Sequence, residues 1–344
     1  MAAVVSAGPS PDTPAGRGPE AGAVRRVLVT GATGFVGRAF VAQAPARGLE
    51  VVAAIRGPGA ALPGRVRAVA VGDLAGPVDW PAALEGVDAV VHLAARVHVM
   101  HDASADPAGD YRRVNVDATV ALARAAEAAG VRRFVFASSV KALGESTPAD
   151  RPFDDATPPH PEDPYGASKL EAERALHAIG AAGRIEAVVL RPPLMIGPGV
   201  RGNLRLLARA VGAGVPLPLG AIDNRRSLLS VGNFADALAL ALVHPGAVGG
   251  TFLIRDGEDL STPALVRRIA RAMGRRARLW PVPVGLLRAA GAVAGRADAV
   301  ARLTESLRID DAGWRAATGW TPPLDVDAGI ASMVAAGRPA RGPG

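Results

Sequence analysis

Residues 27–37 of the chain read VLVTGATGFVG, and this stretch decides the fold. Its first three residues form a short apolar run with two β-branched valines, which is typical of a strand buried on both faces. The glycines that follow are spaced G-x-x-G-x-x-G, so the backbone can turn tightly and approach a pyrophosphate. A helix that begins near Gly34 would direct its N-terminus at that negative charge. The stretch therefore predicts a strand–turn–helix unit that binds a dinucleotide.

The same alternation continues along the chain. Short apolar runs predict five further strands at 51–55, 68–71, 89–93, 134–137 and 186–190. Alanine-rich stretches between them predict helices, including a long one over about 111–129. Strict alternation of strand and helix indicates an α/β fold with a doubly wound parallel sheet.

Beyond Arg191 the alternation ends, and proline and glycine interrupt the segments. We expect a dinucleotide-binding domain over 25–190 with a returning segment near 226–243, and a smaller mixed α/β substrate domain over 191–337. Residues 1–24 and 338–344 are predicted to be disordered extensions. The apolar run 237–254 is predicted to be a helix, a turn and a strand, and 279–293 a surface or domain-packing helix, so no membrane span is expected.

Composition narrows the class of protein. The chain has 344 residues and no cysteine, which excludes disulfides, thiolate catalysis and cysteine-ligated metals, and fits a reducing cytoplasm. No metal site is predicted. The formal net charge is +7, but the arginines are scattered and only 4% of residues are aromatic. Nucleic-acid binding is therefore not expected.

Two rare residues stand together in the sequence. The chain contains only two tyrosines, Tyr111 and Tyr165, and only two lysines, Lys141 and Lys169. Tyr165 and Lys169 are four positions apart, so on a helix they share one face. We expect the ammonium to lower the pKa of the phenol, which makes Tyr165 a proton donor and acceptor near neutral pH.

Further candidate residues follow the predicted strands, at the edge where parallel sheets bind ligands. Asp73 and Leu74 follow the third strand, where an aspartate can meet an adenine, and Leu93, Ala94 and Ala95 are at the end of the fourth. Ser139 follows the fifth strand, where its hydroxyl can hydrogen-bond the same substrate oxygen as Tyr165.

The second strand ends in Arg56 instead of the carboxylate that usually binds the adenosine ribose. An arginine there can accept a 2′-phosphate, which favours NADP, although a solvent-exposed arginine in an arginine-rich chain explains the residue nearly as well. The choice between NAD and NADP stays open at this point.

Over about residues 26–337 the chain resembles the extended short-chain dehydrogenase/reductases, the NAD-dependent epimerase/dehydratase group, which have a Rossmann-type sheet. The resemblance rests on these motifs: the glycine stretch 30–37, His92-Leu93-Ala94-Ala95, Asn115-Val116, Ser138-Ser139 before Gly144, 164–169, Arg191-Pro192-Pro193, 197–199 and Gly319-Trp320. The finer pattern is similar to the UDP-glucose 4-epimerase-like branch of bacterial polysaccharide synthesis.

The resemblance implies roles for residues of this chain. Tyr165 would be the acid/base at the sugar C4 oxygen, Ser139 would share that oxygen, and Lys169 would bind the nicotinamide ribose. The implied cofactor-binding residues are Gly31, Thr33, Gly34, Phe35, Val36, Gly37, Arg56, Asp73, Leu74, Leu93, Ala94, Ala95, Tyr165, Lys169 and Pro192. The implied substrate-binding residues are Ser139, Asn203 and Arg226, the last of which has the fork that suits a diphosphate. Lys141 is a further candidate from its position, because it lies two residues beyond Ser139 and can reach the substrate or a phosphate.

The expected function is an NAD(P)-dependent oxidoreductase that transfers hydride at C4 of a nucleotide sugar, as a UDP-hexose 4-epimerase. Reduction of a UDP-4-keto sugar, such as a 4-keto-6-deoxy-hexosamine, would use the same residues and stays open. A reductase of non-sugar carbonyls and a non-catalytic dinucleotide sensor are further alternatives. Dehydration is not expected, because Val140-Lys141 stand where 4,6-dehydratases carry Asp-Glu. The family also implies a homodimer.

Overall fold

The computed structural model of the chain describes residues 24–59, 61–64, 66–97, 104–148 and 150–337. Nearly all of the two predicted terminal extensions, 1–24 and 338–344, lies outside these residues. The strands are β1 Arg26–Thr30, β2 Glu50–Ile55, β3 Arg67–Ala70, β4 Ala89–His92, β5 Arg133–Ala137, β6 Glu186–Arg191, β7 Leu194–Ile196, β8 Arg226–Ser230, β9 Thr251–Leu253 and β10 Asp259–Leu260.

Helices connect these strands and make up most of the C-terminal third. They are α1 Phe35–Gln43, α2 Pro81–Leu84, α3 Pro107–Tyr111, α4 Ala118–Ala128, α5 Pro164–Ala182, α6 Gly202–Gly212, α7 Val231–Val243, α8 Thr262–Ala272, α9 Val284–Val293, α10 Ala297–Thr304, α11 Ala312–Thr318 and α12 Val326–Ala336. No helix in the described ranges is long and apolar enough to cross a membrane.

A seven-stranded sheet forms the centre of the molecule, in the order β3-β2-β1-β4-β5-β6-β9. All of its strand pairs are parallel. The first six strands match the six predicted ones, so the doubly wound α/β prediction is confirmed. The strand order reverses between β1 and β4, and ligands of such sheets bind at the carboxyl ends of the strands beside this point.

Each face of the sheet is covered by helices. On one face α1 packs against α7, and Phe40 of α1 and Phe234 of α7 are in the same buried cluster. The Gln43 side chain donates a hydrogen bond to the carbonyl of Gly232 across this contact (3.3 Å). On the other face α4 and α5 bury Leu122 and Leu176. Burial on both faces is why the strands are almost continuously apolar.

A second, smaller sheet has the order β10-β8-β7, with β7 parallel and β10 antiparallel to β8. Helices α6, α8 and α12 share an apolar core with it. The mixed character predicted for the C-terminal part is therefore confirmed. The last strand of the main sheet, β9, comes after the segment 226–243, which was the part predicted to return to the dinucleotide-binding domain. The division of the chain into two domains stays a prediction.

The predicted helix over 111–129 is longer and less regular than expected. Helices α3 and α4 are continuous through residues 112–117, which form a π-helix. Such wide turns are frequently found at functional sites because they redirect side chains out of the regular helical register. Asn115 lies in this segment and is buried.

Candidate active site

The glycine-rich turn joins β1 to α1 at the strand-order reversal. Gly31 has a φ of +66°, and a Cβ atom there would lie 2.8 Å from the backbone nitrogen of Ala94. A Cβ atom on Gly37 would overlap the carbonyl oxygen of Gly31. Gly34 is the N-cap of α1, and no side chain caps this helix. Thr33 and Gly34 are exposed, so an open helix N-terminus with its partial positive charge is available to an anion.

A buried histidine fixes the end of β4 next to this turn. The Thr119 hydroxyl donates to the carbonyl of Asn115 (2.7 Å), so it accepts from Nε2 of His92 (2.9 Å). The other ring nitrogen, Nδ1, then accepts from the hydroxyl of Thr30 (2.6 Å). Burial, and to a smaller extent Lys169, lowers the pKa of His92 to about 3, which keeps the ring neutral as this chain of hydrogen bonds requires.

The same chain of hydrogen bonds positions backbone groups of the predicted cofactor edge. The Thr30 oxygen accepts from the amides of Leu93 (3.2 Å) and Ala94 (3.1 Å). Asn115 binds both backbone groups of Arg96, accepting from its amide (2.8 Å) and donating to its carbonyl (3.1 Å). The segment that contains Leu93, Ala94 and Ala95 is therefore held from two sides at the carboxyl end of β4.

Asn115 also connects this edge to the helix that carries the tyrosine. Its amide donates to Oγ of Ser168 (2.9 Å), and Ser168 donates to the carbonyl of Tyr165 (2.7 Å). In the sequence Asn115 was recognised only as part of the family resemblance, and no role was assigned to it. Its position inside a π-helix could not be recognised from a regular helical period.

Tyr165 lies in the first turn of α5, which Asp163 caps by accepting from the amide of Gly166 (2.6 Å). Its hydroxyl is hydrogen-bonded to the Ser139 side chain, and its ring meets that of Tyr111 edge-on at 6.1 Å between centroids. Burial raises the pKa of Tyr165 to about 12, Asp163 and Tyr111 add to the rise, and the hydrogen bond from Ser139 opposes it.

Lys169 follows one helical turn later and is 2% exposed. Its ammonium nitrogen lies 4.1 Å from the centroid of the Phe136 ring. Burial lowers the pKa of Lys169 to about 7, and Glu173 opposes this shift. The expectation that Lys169 lowers the pKa of Tyr165 was therefore wrong for the protein alone. Desolvation of the phenol dominates, and it acts on Lys169 as well, because both groups are enclosed by the same interior.

An ion pair beneath the site was missed in the sequence. Glu173 of α5 accepts from Nε (3.0 Å) and Nη2 (2.5 Å) of Arg191, at the end of β6, and from the hydroxyl of Ser138. All three residues are buried. This network ties the ends of β5 and β6 to the helix that carries Tyr165. The available signal was the spacing, since Glu173 is four residues after Lys169 on the same helical face.

Two predicted substrate-binding cations are already engaged with protein groups. The Lys141 ammonium lies between the carboxylates of Glu145 (2.6 Å) and Asp163 (2.8 Å). Arg226 donates from Nη1 to the carbonyls of Arg302 (3.1 Å) and Glu305 (3.0 Å).

Asn203, the third polar residue predicted to bind the substrate, differs from Lys141 and Arg226 because it is exposed. Asn203 is exposed in the first turn of α6, at the margin of the second sheet. The structure thus brings Ser139, Tyr165 and Lys169 together, while Asn203 is on another element, α6.

The remaining candidates border the carboxyl edge of the sheet. Arg56 and Asp73 follow β2 and β3, are largely exposed and form an ion pair at 3.7 Å. Asp73 also accepts from the amide of Ala75 (2.9 Å), while Leu74 packs on the core below. Pro192 is buried after β6 and accepts from the amide of Val140 (3.0 Å).

The comparisons with known proteins agree with this geometry. Residues 27–254 match the model of the NAD dependent epimerase/dehydratase family. A UDP-glucose 4-epimerase of Vibrio cholerae is 39% identical over 308 residues, which cover 89% of this chain and 93% of that protein.

Two solved structures at similar coverage carry related ligands. The structure of MoeE5 with UDP-glucose and NAD is 29% identical with a TM-score of 0.72, and covers 90% of this chain and 97% of its own. The Thermus thermophilus UDP-glucose 4-epimerase in complex with NAD is 27% identical with a TM-score of 0.71, at 90% and 98% coverage.

Proposed function

We propose that this chain, which belongs to the NAD dependent epimerase/dehydratase family, is an NAD-dependent 4-epimerase of UDP-hexoses. One observation carries the proposal. The Tyr165 hydroxyl is hydrogen-bonded to Ser139 at the carboxyl edge of the sheet, with Lys169 one helical turn away. An acid/base group and a second hydrogen-bonding group thus converge on one position, which suits proton transfer at a single substrate oxygen.

The glycine turn fits a dinucleotide. Substitution of either Gly31 or Gly37 would bring a Cβ atom against backbone, and the N-terminus of α1 has no side-chain cap. This combination leaves room and positive potential for a pyrophosphate. We infer that residues 31–37 hold the pyrophosphate, that Leu93, Ala94, Ala95 and Pro192 border the cofactor, and that Lys169 contacts the nicotinamide ribose. When bound, NAD accepts a hydride from C4 of the sugar and returns it.

The residues of the chain supply the proton chemistry. With a pKa of about 12, Tyr165 is protonated at neutral pH and is ready to donate to a keto oxygen at C4. For the opposite step, Tyr165 must take the proton of the C4 hydroxyl. A nearby positive charge favours the phenolate. Lys169 has a pKa of about 7, so at neutral pH it is protonated, and positively charged, in about half of the molecules. Ser139 would hydrogen-bond the reacting C4 oxygen of the substrate in both directions.

NAD, and not NADP, is the cofactor in the proposal. The relatives MoeE5 and the Thermus thermophilus enzyme were solved with NAD. Arg56, on which the expectation of NADP depended, lies 3.7 Å from the carboxylate of Asp73. A 2′-phosphate beside Arg56 would be close to that carboxylate and would be repelled by it.

Asn203 and Arg226 are the proposed contacts to the nucleotide diphosphate. Arg226 is fixed by two backbone carbonyls, and Glu145 is close enough to influence its pKa. Because Glu145 also pairs with Lys141, Arg226 lies near the loop that follows Ser139. We propose that Lys141, which lies in this loop, contacts the substrate or its phosphate. A homodimer and a cytoplasmic location stay predictions.

Reduction of a UDP-4-keto sugar remains the second candidate, because β2 is followed by Arg56 instead of the ribose-binding carboxylate. The test is to release and identify the dinucleotide in the purified protein and then to add UDP-glucose or UDP-galactose. Copurified NAD with 4-epimer formed and no net cofactor consumption supports the proposal. A protein that consumes NADPH only when a UDP-4-keto sugar is added is the reductase, and the epimerase proposal is then wrong.

A further inference from the structure

Helix α9 presents an apolar face to solvent. Its buried side consists of Val284, Leu287 and Gly291, which face the core of the second sheet and α10. On the opposite side Leu286 is 62% exposed and Val293 is 92% exposed. Ala289 and Ala290, which lie between them on that side, are also exposed and apolar. A surface helix of a globular protein normally carries polar residues there, so this face indicates a partner.

Trp280 lies just before α9 and extends the apolar surface. It is 63% exposed, whereas the other three tryptophans of the chain are 0–5% exposed. Its backbone is fixed, because its amide donates to the carbonyl of Leu217 (2.9 Å) and its carbonyl accepts from the amide of Gly220 (2.8 Å). The indole is thus held on the outside by a rigid segment. An aromatic ring with a polar N–H suits the boundary between lipid and water.

The sequence around this helix is strongly basic. Between Asp259 and Asp298 the chain has no acidic residue and eight arginines. Arg275, Arg276 and Arg278 directly precede Trp280 and are exposed. Arg275 also lines a cleft of about 1050 Å³ between the ends of α6, α8 and α12. Among the described residues, this cleft is lined by four arginines and by no acidic side chain; the other three are Arg201, Arg205 and Arg209.

We propose that α9 and Trp280 dock this protein on a membrane surface that contains anionic lipids. The apolar face would enter the boundary between headgroups and acyl chains, and Arg275, Arg276 and Arg278, which directly precede Trp280, would meet the headgroups. Apolar insertion combined with basic flanking residues is the physical basis of binding by interfacial helices. The positive charge of these arginines favours an anionic lipid surface over a second copy of the chain. A symmetric contact through this face would bring the same arginines of both copies close together.

The test uses the full-length protein with vesicles of phosphatidylcholine and phosphatidylglycerol, and with vesicles of phosphatidylcholine alone. Sedimentation is expected to recover the protein with the anionic vesicles and to lose it as salt is raised. Because Trp280 is the exposed tryptophan, insertion should shift the intrinsic fluorescence to shorter wavelength. Trp280→Phe should abolish the shift while the variant stays folded.

Two double variants that each add two negative charges distinguish the role of the apolar face of α9 from a general effect of added charge. Leu286→Glu/Val293→Glu is expected to lower the partition onto anionic vesicles by at least about tenfold. Val243→Glu/Val248→Glu changes exposed valines elsewhere and should leave the partition unchanged. Arg275→Ala, Arg276→Ala and Arg278→Ala should each reduce it roughly fivefold. Epimerase turnover with soluble UDP-hexose should persist in all of these variants, which shows that they are folded.

Three results would overturn the proposal. The first is that the wild-type protein fails to bind anionic vesicles at low salt. The second is that the two double variants bind equally well. The third is that Leu286→Glu/Val293→Glu converts a wild-type dimer into a monomer while no vesicle binding is seen, which would assign the face to a second copy.

Discussion

Glu173 and Arg191 form a buried two-point ion pair, with distances of 3.0 and 2.5 Å between the carboxylate oxygens and the guanidinium nitrogens. Glu173 is on the helix that carries Tyr165, and Arg191 is the last residue of the strand beside Ser138. The pair therefore ties the helix that carries Tyr165 to the edge of the sheet. A hydrogen bond from Ser138 adds to the same carboxylate, so few of its lone pairs are left without a donor.

Removal of one partner of this pair should be costly. Arg191→Met leaves a buried carboxylate without its cation, and we expect the free energy of unfolding to fall by about 3–5 kcal/mol. Glu173→Leu/Arg191→Met removes both charges and should recover part of that loss. Urea denaturation of the three proteins measures both effects. A loss below about 1 kcal/mol in Arg191→Met would contradict the prediction.

Tyr165→Phe tests the proposed acid/base. We expect turnover to fall by about 10²–10⁴-fold, since general acid–base catalysis contributes in this range, while NAD binding changes little. Tyr111→Phe is the matched control, because Tyr111 is the other tyrosine of the chain and its ring lies 6.1 Å away. Its hydroxyl donates to the carbonyl of Val97 (3.2 Å), so turnover should be retained. Equal losses in both variants would remove Tyr165 from the mechanism.

Lys169→Met should stabilise the dinucleotide-free protein and impair catalysis. The pKa of Lys169 is about 7 in the folded protein and about 10.5 when unfolded, so between these values the unfolded chain binds more protons. Stability of the wild type therefore rises with pH across this window, and below pH 7 the full penalty applies, up to about 5 kcal/mol.

The comparison of Lys169→Met with wild type is best made at two pH values. We expect the variant to be more stable than wild type by a few kcal/mol at pH 6, and the difference to shrink towards pH 10. Thermal or urea denaturation at both pH values measures the gap. A gap that does not depend on pH would show that the lysine is not desolvated as the structure indicates.

Gly37→Ala tests the glycine turn. The new methyl group would overlap the carbonyl of Gly31, so we expect the turn to be displaced and NAD binding to weaken by at least about tenfold. Gly285→Ala is the control, because a Cβ atom at that helical position meets nothing within 4 Å. Calorimetric titration with NAD after release of any bound dinucleotide compares the two. Unchanged affinity in Gly37→Ala would show that the pyrophosphate lies elsewhere.

The sequence predicted the sheet well because buried parallel strands are short, apolar and regularly separated. It also placed Ser139, Tyr165 and Lys169 together, since strand ends and helical spacing are local properties. It could not show that Arg191 meets Glu173 or that Lys141 meets Asp163, because each of these contacts joins two different elements of the fold. The pair of Lys141 with Glu145 is local, at a spacing of four residues, and was not predicted. The pKa of Tyr165 was predicted in the wrong direction because spacing reveals a neighbouring charge but not the loss of water around it.

The contact between α1 and α7 has a consequence for biosynthesis. Gln43 and Gly232, which are hydrogen-bonded across it, are 189 residues apart in the chain. At a synthesis rate of about 5–20 residues per second, α7 is synthesised roughly 10–40 seconds after α1, and the side of α1 that packs against α7 stays uncovered during this time. During that interval Phe40 and Val41 lack the α7 residues of the cluster that buries them in the finished protein, among them Phe234. A nascent chain that stops near residue 190 therefore exposes apolar side chains of α1 that a chaperone can bind. Although α1 is the first helix to be synthesised, its packing is completed only after α7 has been made.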